Sequence, residues 1–247
     1  MTLDGRVVLV TGGGIRLGRA IVQALAAEGP ALAVHHHGSA DAAQALVAEL
    51  RSAGRLAQAF GADLTDDAQL AALVPEVERS LGPIDVLVNS AARFTRAPFL
   101  DTDAATLDAE WRLNARAPFL LTRAVARGMM ERRRGAVVNV LDIGGALVPW
   151  RSYAAYCITK AALHMLTQVL ALELAPHVRV NGVAPGTILP PESLGPEERE
   201  QLRSRIPLQR FGTPQDIADT VRFLVTGPDF ITGQVVAVDG GRTRGSG

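Results

Sequence analysis

Apolar residues fall along this chain in short, nearly unbroken runs, each followed by a longer stretch of helical period. The runs at Arg6–Val10, Ala31–His36, Leu56–Gly61, Asp85–Asn89, Ala136–Leu141, Val178–Ala184 and Val235–Val238 read as strands. Most carry no polar alternation, the pattern of strands covered on both faces and therefore paired in parallel. Between them, apolar positions recur every three or four residues in 17–28, 40–53, 66–81, 107–130, the segment from Tyr156 onward, and 214–225, which predicts helices. Repeated strand–helix units predict an α/β fold, a doubly wound parallel sheet with helices on both faces. Ligands then bind at the carboxyl ends of the strands. No repeat, low-complexity tract or linker interrupts the pattern, so residues 1–247 read as one domain.

Composition narrows this only a little. A net charge of +0 and a pI near 7.0 point to neither a nucleic-acid groove nor an acidic membrane surface. Cys157 is the sole cysteine and cannot form an internal disulfide, which fits a reducing compartment. The start, MTLDGRVVLVTGGG, has no basic n-region or cleavage pattern. A soluble cytoplasmic protein acting on small molecules is expected.

The strand ends hold the candidate chemistry. In TGGGIRLG, the glycines Gly12, Gly13, Gly14 and Gly18 allow the backbone to turn tightly, so the next helix can present its N-terminus to a pyrophosphate. Arg16 lies inside this loop, where a guanidinium can meet a phosphate or an anionic substrate edge. Leu17, between Arg16 and Gly18, is a further expected cofactor contact. After the second strand, a carboxylate would select the ribose hydroxyls of NAD. The chain instead reads HHHGSA, with His37 and Ser39 as donors and no acid before Asp41, so NADPH is expected over NADH. His35 and His37 share a strand face, but no Cys, Asp or Glu stands at ligand spacing to complete a shell, so no metal is expected. Asp63 and Leu64 follow the third strand, Asn89 and Ala91 the fourth. Pro185, Gly186, Thr187 and Ile188 follow the sixth, in a turn suited to closing over a nicotinamide. Residues 189–210, rich in Pro, Glu and Arg, suggest a substrate lid.

The stretch from Asp142 to Lys160 looks built for proton transfer. Tyr156 and Lys160, four residues apart on a helix, share one face, and Asp142 ends the buried strand just upstream. Asn114 is a polar residue inside the apolar helix EWRLNARAPFLL, either partly exposed or bonded to the backbone so as to bend the helix.

Taken in order and spacing, TGGGIRLG, VNSAA, Asn114, Tyr-x-x-x-Lys, VNGVAPG and ITGQVVAVDGG resemble the short-chain dehydrogenase/reductase family over essentially the whole chain. The resemblance implies a Rossmann-type fold, a nicotinamide cofactor and a homotetramer or dimer. It implies Asn114, Tyr156 and Lys160 as catalytic residues. Gly12, Gly18, Asp63, Asn89, Pro185, Gly186 and Thr187 are implied for the cofactor, which Tyr156 and Lys160 also touch. Three departures stand out: Arg16 replaces the usual middle glycine, N-S-A-A replaces N-N-A-G, and the catalytic serine is missing, with Asp142 at the end of that strand. With HHHGSA, these are similar to the pteridine reductase branch, in which the loop arginine, an aromatic after the fourth strand (Phe94 here) and the strand-end Asp frame the ring. Asp142 lies fourteen residues before Tyr156, one more than usual, and Ile143 holds the strict position. A one-residue insertion in GGALV is the expected reason.

On that resemblance, hydride passes from NADPH to an electrophilic carbon and Tyr156 supplies the proton. Asn114 holds a water that links Lys160 to solvent. A carboxylate at Asp142 opposes a phenolate and repels a forming alkoxide, which suits a pterin- or folate-like C=N bond better than a ketone. Two other readings stay open. One is an NADPH-dependent carbonyl reductase, such as a 3-oxoacyl-thioester reductase, with Arg93, Arg96 and Arg116 serving anionic groups. The other is a non-catalytic NADP-binding protein.

Overall fold

The structure is a computed structural model describing residues 1–190 and 194–244. Seven strands form a single parallel sheet in the order β3-β2-β1-β4-β5-β6-β7: β1 Val7–Val10, β2 Ala31–His36, β3 Ala57–Gly61, β4 Ile84–Asn89, β5 Gly135–Val140, β6 Val178–Pro185 and β7 Val235–Val238. Strand periodicity sends alternate residues to opposite faces. Val8, Val10, Val34, Val86 and Val88 pack with α1 (Arg16–Ala26), α2 (Ala40–Ser52) and α9 (Pro214–Thr226). Val7, Leu9, Leu87 and Val137 pack instead with α3 (Asp67–Leu81), α5 (Ala117–Glu131) and α7 (Ala154–Glu173). Full burial of a side chain such as Leu9 contributes about 1.5–3 kcal/mol, so both faces drive the sheet together. This is the α/β, doubly wound, parallel arrangement that the apolar runs predict.

The chain builds outward from β1 to β3, then crosses back to place β4 on the other side of β1. That reversal opens a crevice beyond the carboxyl ends of β1 and β4, where such sheets bind ligands.

The stretch 107–130 departs from expectation. Rather than one regular helix, it is α4 (Ala104–Trp111), a π-helical turn at Arg112–Arg116, and then α5. A π turn adds one residue to a helical turn and rotates the helix beyond it. Asn114 sits inside it and Pro118 opens α5.

The expected lid, 189–210, contains α8 (Pro196–Ser204), which buries none of its side chains, and is anchored by the buried Ile206; its residues 191–193 lie outside the described residues. Helix α7 is long and apolar enough by composition to cross a membrane, but it packs on β6 and carries Tyr156 and Lys160 on its buried face.

Candidate active site

The crevice is assembled by short side-chain ties between strand tips. Thr11, just past β1, accepts from the N–H groups of Ser90 and Ala91 at 2.9 and 3.0 Å, which fixes the end of β4 against the glycine loop. Gly12 has φ +63°, and a Cβ there would stand 3.0 Å from the Ala91 Cα. A side chain would therefore push the two strand ends apart. His35 supplies a second tie. Its Nδ1 accepts from the Gly12 N–H at 3.1 Å and its Nε2 donates to the Ala62 carbonyl at 2.9 Å. Burial pushes the imidazole down to about 4, so it is neutral near pH 7, the form this donor–acceptor pair requires. Both ring nitrogens are thus committed to backbone. Neither Thr11 nor His35 carries a local sequence signal for this work, because their partners lie on other strands.

The cofactor residues divide by what their side chains already do. Any Cβ on Gly18 would overlap the Gly12 carbonyl, so this glycine lets α1 close onto the loop. Helix α1 has no acid in its first turn and no side-chain cap at Ile15, which leaves its N-terminal N–H groups for an anion. These features fit a dinucleotide pyrophosphate. Arg16 is exposed, sits at φ +50°, and its side chain makes no hydrogen bond or ion pair among the described residues. Ser39 opens α2 without using its hydroxyl as a cap, and exposed His37 lies 3.9 Å from the Asp63 carboxylate. Asp63 commits one oxygen to Thr65, which holds its carboxyl below the usual range.

Four residues expected to meet the cofactor have side chains engaged in the protein interior. Asn89 is buried and donates to Asn139 Oδ1 at 2.8 Å, while Asn139 donates to Thr167 at 2.9 Å. It belongs to a polar ladder tying β4, β5 and α7. Leu17, in the first turn of α1, packs its half-buried side chain against the core around Val10 and Val34, as apolar burial favours. Leu64 and Ile188 are buried in the core. At these four positions only backbone is available to a cofactor; for Leu17 that is an N–H at the open end of α1. Past Pro185, Gly186 lies where a Cβ would meet the Asp239 Cα at 2.7 Å, and Thr187 Oγ1 accepts from Arg242 at 2.6 Å.

The reactive cluster lies beyond β5. Asp142 Oδ1 accepts from the Gly144 N–H at 2.7 Å, and its Oδ2 accepts from the Tyr156 hydroxyl at 3.1 Å. The fourteen-residue separation therefore does not prevent contact. Ile143 is fully buried with Leu141, Leu163 and Ala184. It opens the short turn α6 (Ile143–Ala146), within which the chain reverses through Gly145 at φ +83°. A side chain on Gly145 would strike the Cys157 backbone on α7. Lys160 is buried, donates to the Val140 carbonyl at 2.9 Å, and stands 5.6 Å from the Tyr156 ring centre.

Electrostatics follow from this burial. Desolvation lifts Asp142 to about 6, against the pull of the Gly144 N–H and the Lys160 ammonium. Burial first, then the Asp142 carboxylate, hold the Tyr156 phenol well above its ordinary value. Desolvation lowers Lys160 to about 8. At neutral pH the cluster is thus a protonated phenol, a cationic lysine and a carboxyl that takes a proton under mildly acidic conditions.

Asn114 is fully engaged. It accepts from the Arg93 N–H at 2.8 Å and donates its two amide hydrogens to the Arg93 carbonyl at 2.8 Å and to Glu110 at 2.7 Å, with Thr159 Oγ1 3.3 Å from the same nitrogen. Glu110 is wholly buried, and its other oxygen accepts from the Thr95 N–H at 2.8 Å. Sequence reading missed it, since a glutamate on a helix usually faces water. Phe94 stacks on Tyr153 (4.5 Å, 11°) and meets Tyr156 edge-on at 4.7 Å, so one ring face is taken within the chain. Trp150 completes an aromatic wall. Arg116, expected to serve an anionic group, instead pairs with Asp67 at the surface.

A glycine loop at a sheet switch point, facing a buried Tyr/Lys pair, defines a dinucleotide-dependent oxidoreductase. A family profile described as Enoyl-(Acyl carrier protein) reductase matches residues 14–243. The chain is 37% identical over 253 residues to 2-(S)-hydroxypropyl-CoM dehydrogenase 3 of Xanthobacter autotrophicus, covering 98% of both chains. It is 37% identical over 241 residues to the 3-oxoacyl-(acyl-carrier-protein) reductase of Staphylococcus aureus, covering 94% of this chain and 96% of that one. Among solved structures, a gluconate 5-dehydrogenase of Burkholderia cenocepacia in complex with NADP and tartrate superposes with a TM-score of 0.92 at 31% identity, over 99% of this chain and 97% of that one. The chain belongs to the short-chain dehydrogenase/reductase family. None of these relatives is a pteridine reductase, so the branch suggested by the three departures finds no support among them.

Proposed function

We propose that this enzyme interconverts a ketone and a secondary alcohol with NADP(H), Tyr156 exchanging the proton with the substrate oxygen. The observation that carries the reading is the 3.1 Å contact between the Tyr156 hydroxyl and an Asp142 carboxyl lifted to about 6. Below about pH 6 a neutral Asp142 offers an O–H to the substrate carbonyl, the service a serine hydroxyl gives, so under those conditions the missing serine does not argue against a ketone. The bound cofactor supplies hydride. Lys160 stabilises negative charge on Tyr156 as its proton leaves, and the Val140 carbonyl holds the ammonium in place. Asn114 and Glu110 hold the Arg93–Thr95 loop, and with it Phe94, against the cluster.

The relatives favour this carbonyl reading over the pterin one, since their names are those of alcohol dehydrogenases and a ketoacyl reductase. NADPH over NADH rests on the uncapped Ser39 hydroxyl, on His37, and on the lack of an acid between β2 and Asp41; the Burkholderia relative was crystallised with NADP. We assign homo-oligomer contacts to the apolar side chains left exposed on α4, α5 and α7, among them Trp111, Phe119, Met165 and Leu172. NADPH oxidation followed with an acetoacetyl thioester, a small oxo acid and dihydrobiopterin tests the reading, with Tyr156→Phe as control. Turnover of dihydrobiopterin alone returns the pterin reading; turnover that survives Tyr156→Phe removes the mechanism.

A further inference from the structure

Arg242 lies four residues past β7, in the turn that follows ITGQVVAVDGG, and is itself outside that motif. The turn is tightly built. Asp239 accepts from the Gly241 and Thr243 N–H groups at 2.9 and 2.7 Å, and Gly240 and Gly241 adopt φ +64° and +87°. From this turn the half-buried Arg242 side chain reaches the reactive cleft rather than solvent. Its Nη1 donates to Thr187 Oγ1 at 2.6 Å, and its guanidinium carbon stands 5.5 Å from the Trp150 ring centre. Trp150 is itself seated over Gly144, beside Asp142, where a Cβ would meet the indole at 2.5 Å. It also meets Phe94 edge-on at 6.1 Å, and Phe94 touches Tyr156. The guanidinium therefore stands where the nicotinamide-side turn at Thr187 meets the aromatic wall beside the reactive phenol.

A guanidinium has five N–H donors. Among the described residues, one threonine hydroxyl is the sole hydrogen-bond partner of the Arg242 guanidinium, and no carboxylate lies within ion-pair distance of it. Most arginines with charged partners in this chain are paired at the surface, Arg19 with Glu49 and Arg203 with Glu200 among them. Arg242 instead holds its charge half out of water, with Asp142 and Asp239 acting on it only from longer range and Arg205 opposing it. Such a fork, with one edge resting on an indole and the remaining donors open, matches the two oxygens of a carboxylate.

We propose that Arg242 binds the carboxylate of the substrate, so that the enzyme acts on small oxo acids and the corresponding hydroxy acids, with the ketone or alcohol carbon held against Tyr156. This rests on the carbonyl reading above and adds the second anchor. Trp150 orients the guanidinium and excludes water from one of its faces; Thr187 fixes its other edge.

The test compares acids with their uncharged methyl esters. Acetoacetate and 4-oxopentanoate, each beside its ester, are reduced with NADPH by wild type, Arg242→Ala and Arg242→Lys, with NADPH binding followed by fluorescence. Arg242→Ala removes a charge-assisted pair, so it should lower kcat/KM for the acids at least tenfold more than for the esters, mainly through KM. Arg242→Lys, which keeps the charge but loses the fork, should recover part of the difference. Equal losses for acid and ester, or no loss, overturn the assignment and leave the carbonyl reading intact. Failure of wild type to reduce any of the four compounds removes the assignment, and turnover of the acetoacetyl thioester then decides whether the carbonyl reading stands.

Discussion

Replacing Asp142 with serine gives the sharpest test of how this site works. In wild type the carboxyl is neutral below about pH 6 and ionised above it, because burial outweighs the help of the Gly144 N–H and Lys160. Suppose about half a charge develops on the substrate oxygen in the transition state, some ~4 Å from the carboxylate. At an effective dielectric of ~20 the repulsion is about 2 kcal/mol, or roughly 30-fold in rate. With a midpoint of about 6, the neutral fraction falls from about nine-tenths at pH 5 to about three-hundredths at pH 7.5. Ketone reduction by wild type should therefore decline on the order of tenfold or more across that window. Asp142→Ser, which offers a hydroxyl at every pH, should be nearly flat there and faster than wild type at pH 7.5. The assay is kcat/KM for ketone reduction from pH 5 to 7.5, a window in which Lys160, near 8, stays mostly charged. Parallel profiles for the two proteins would refute the role given to Asp142.

Other expectations rest on the same geometry. Asp142 has a folded-state value near 6 against an ordinary 3.8, so it contributes stability below pH 3.8 that is lost as pH rises through 6, about 3 kcal/mol at 1.36 per unit. His35, lowered from 6.5 to about 4, acts oppositely: its contribution is present above 6.5 and lost as pH falls through 4. The two nearly cancel, so Asp142→Asn should lose stability between pH 6 and 4 by about 2 kcal/mol more than wild type does, read by urea unfolding; an unchanged difference would count against the buried carboxyl. Glu110→Ala leaves the Thr95 N–H and the Asn114 amide short of a buried acceptor and should cost about 2–4 kcal/mol, with Glu110→Gln recovering part of it; equal unfolding midpoints for the two variants would contradict this. Arg16→Gly relieves a left-handed non-glycine backbone worth about 1 kcal/mol, so its melting temperature should hold or rise while affinity for NADPH falls. Ser39→Asp should shift preference from NADPH toward NADH, measured as the ratio of the two KM values.

The sheet was readable because its signal is local: runs such as VVLV and DVLVN are apolar on both faces, and that suffices to bury them in a parallel sheet. The Tyr156/Lys160 pair was readable for the same reason, since four residues on a helix fix a shared face. What escaped depends on partners distant along the chain. His35 reads as one of three histidines until Gly12 and Ala62 close on its two nitrogens. Glu110 reads as a solvated helix residue until Asn114 and the Thr95 loop fold over it. Asn89 was placed correctly at a strand end, yet a side chain there can face the cleft or the interior, and Asn139 on the neighbouring strand draws it inward. Leu17 is similar: its place beside the loop is local, but the direction of its side chain is set by the apolar core under α1. Position 142 shows the converse: counting residues cast doubt on a contact that the reversal at Gly145 makes.

That reversal also limits how this site can be re-engineered. Ile143 fills the interior behind the cluster, so writing a serine there, where alignment by spacing would put it, trades a packed aliphatic group for a hydroxyl that no reactant meets. Anyone wishing to graft the customary alcohol side chain into this enzyme must edit the neighbouring residue, at the end of the strand, and leave the plug alone.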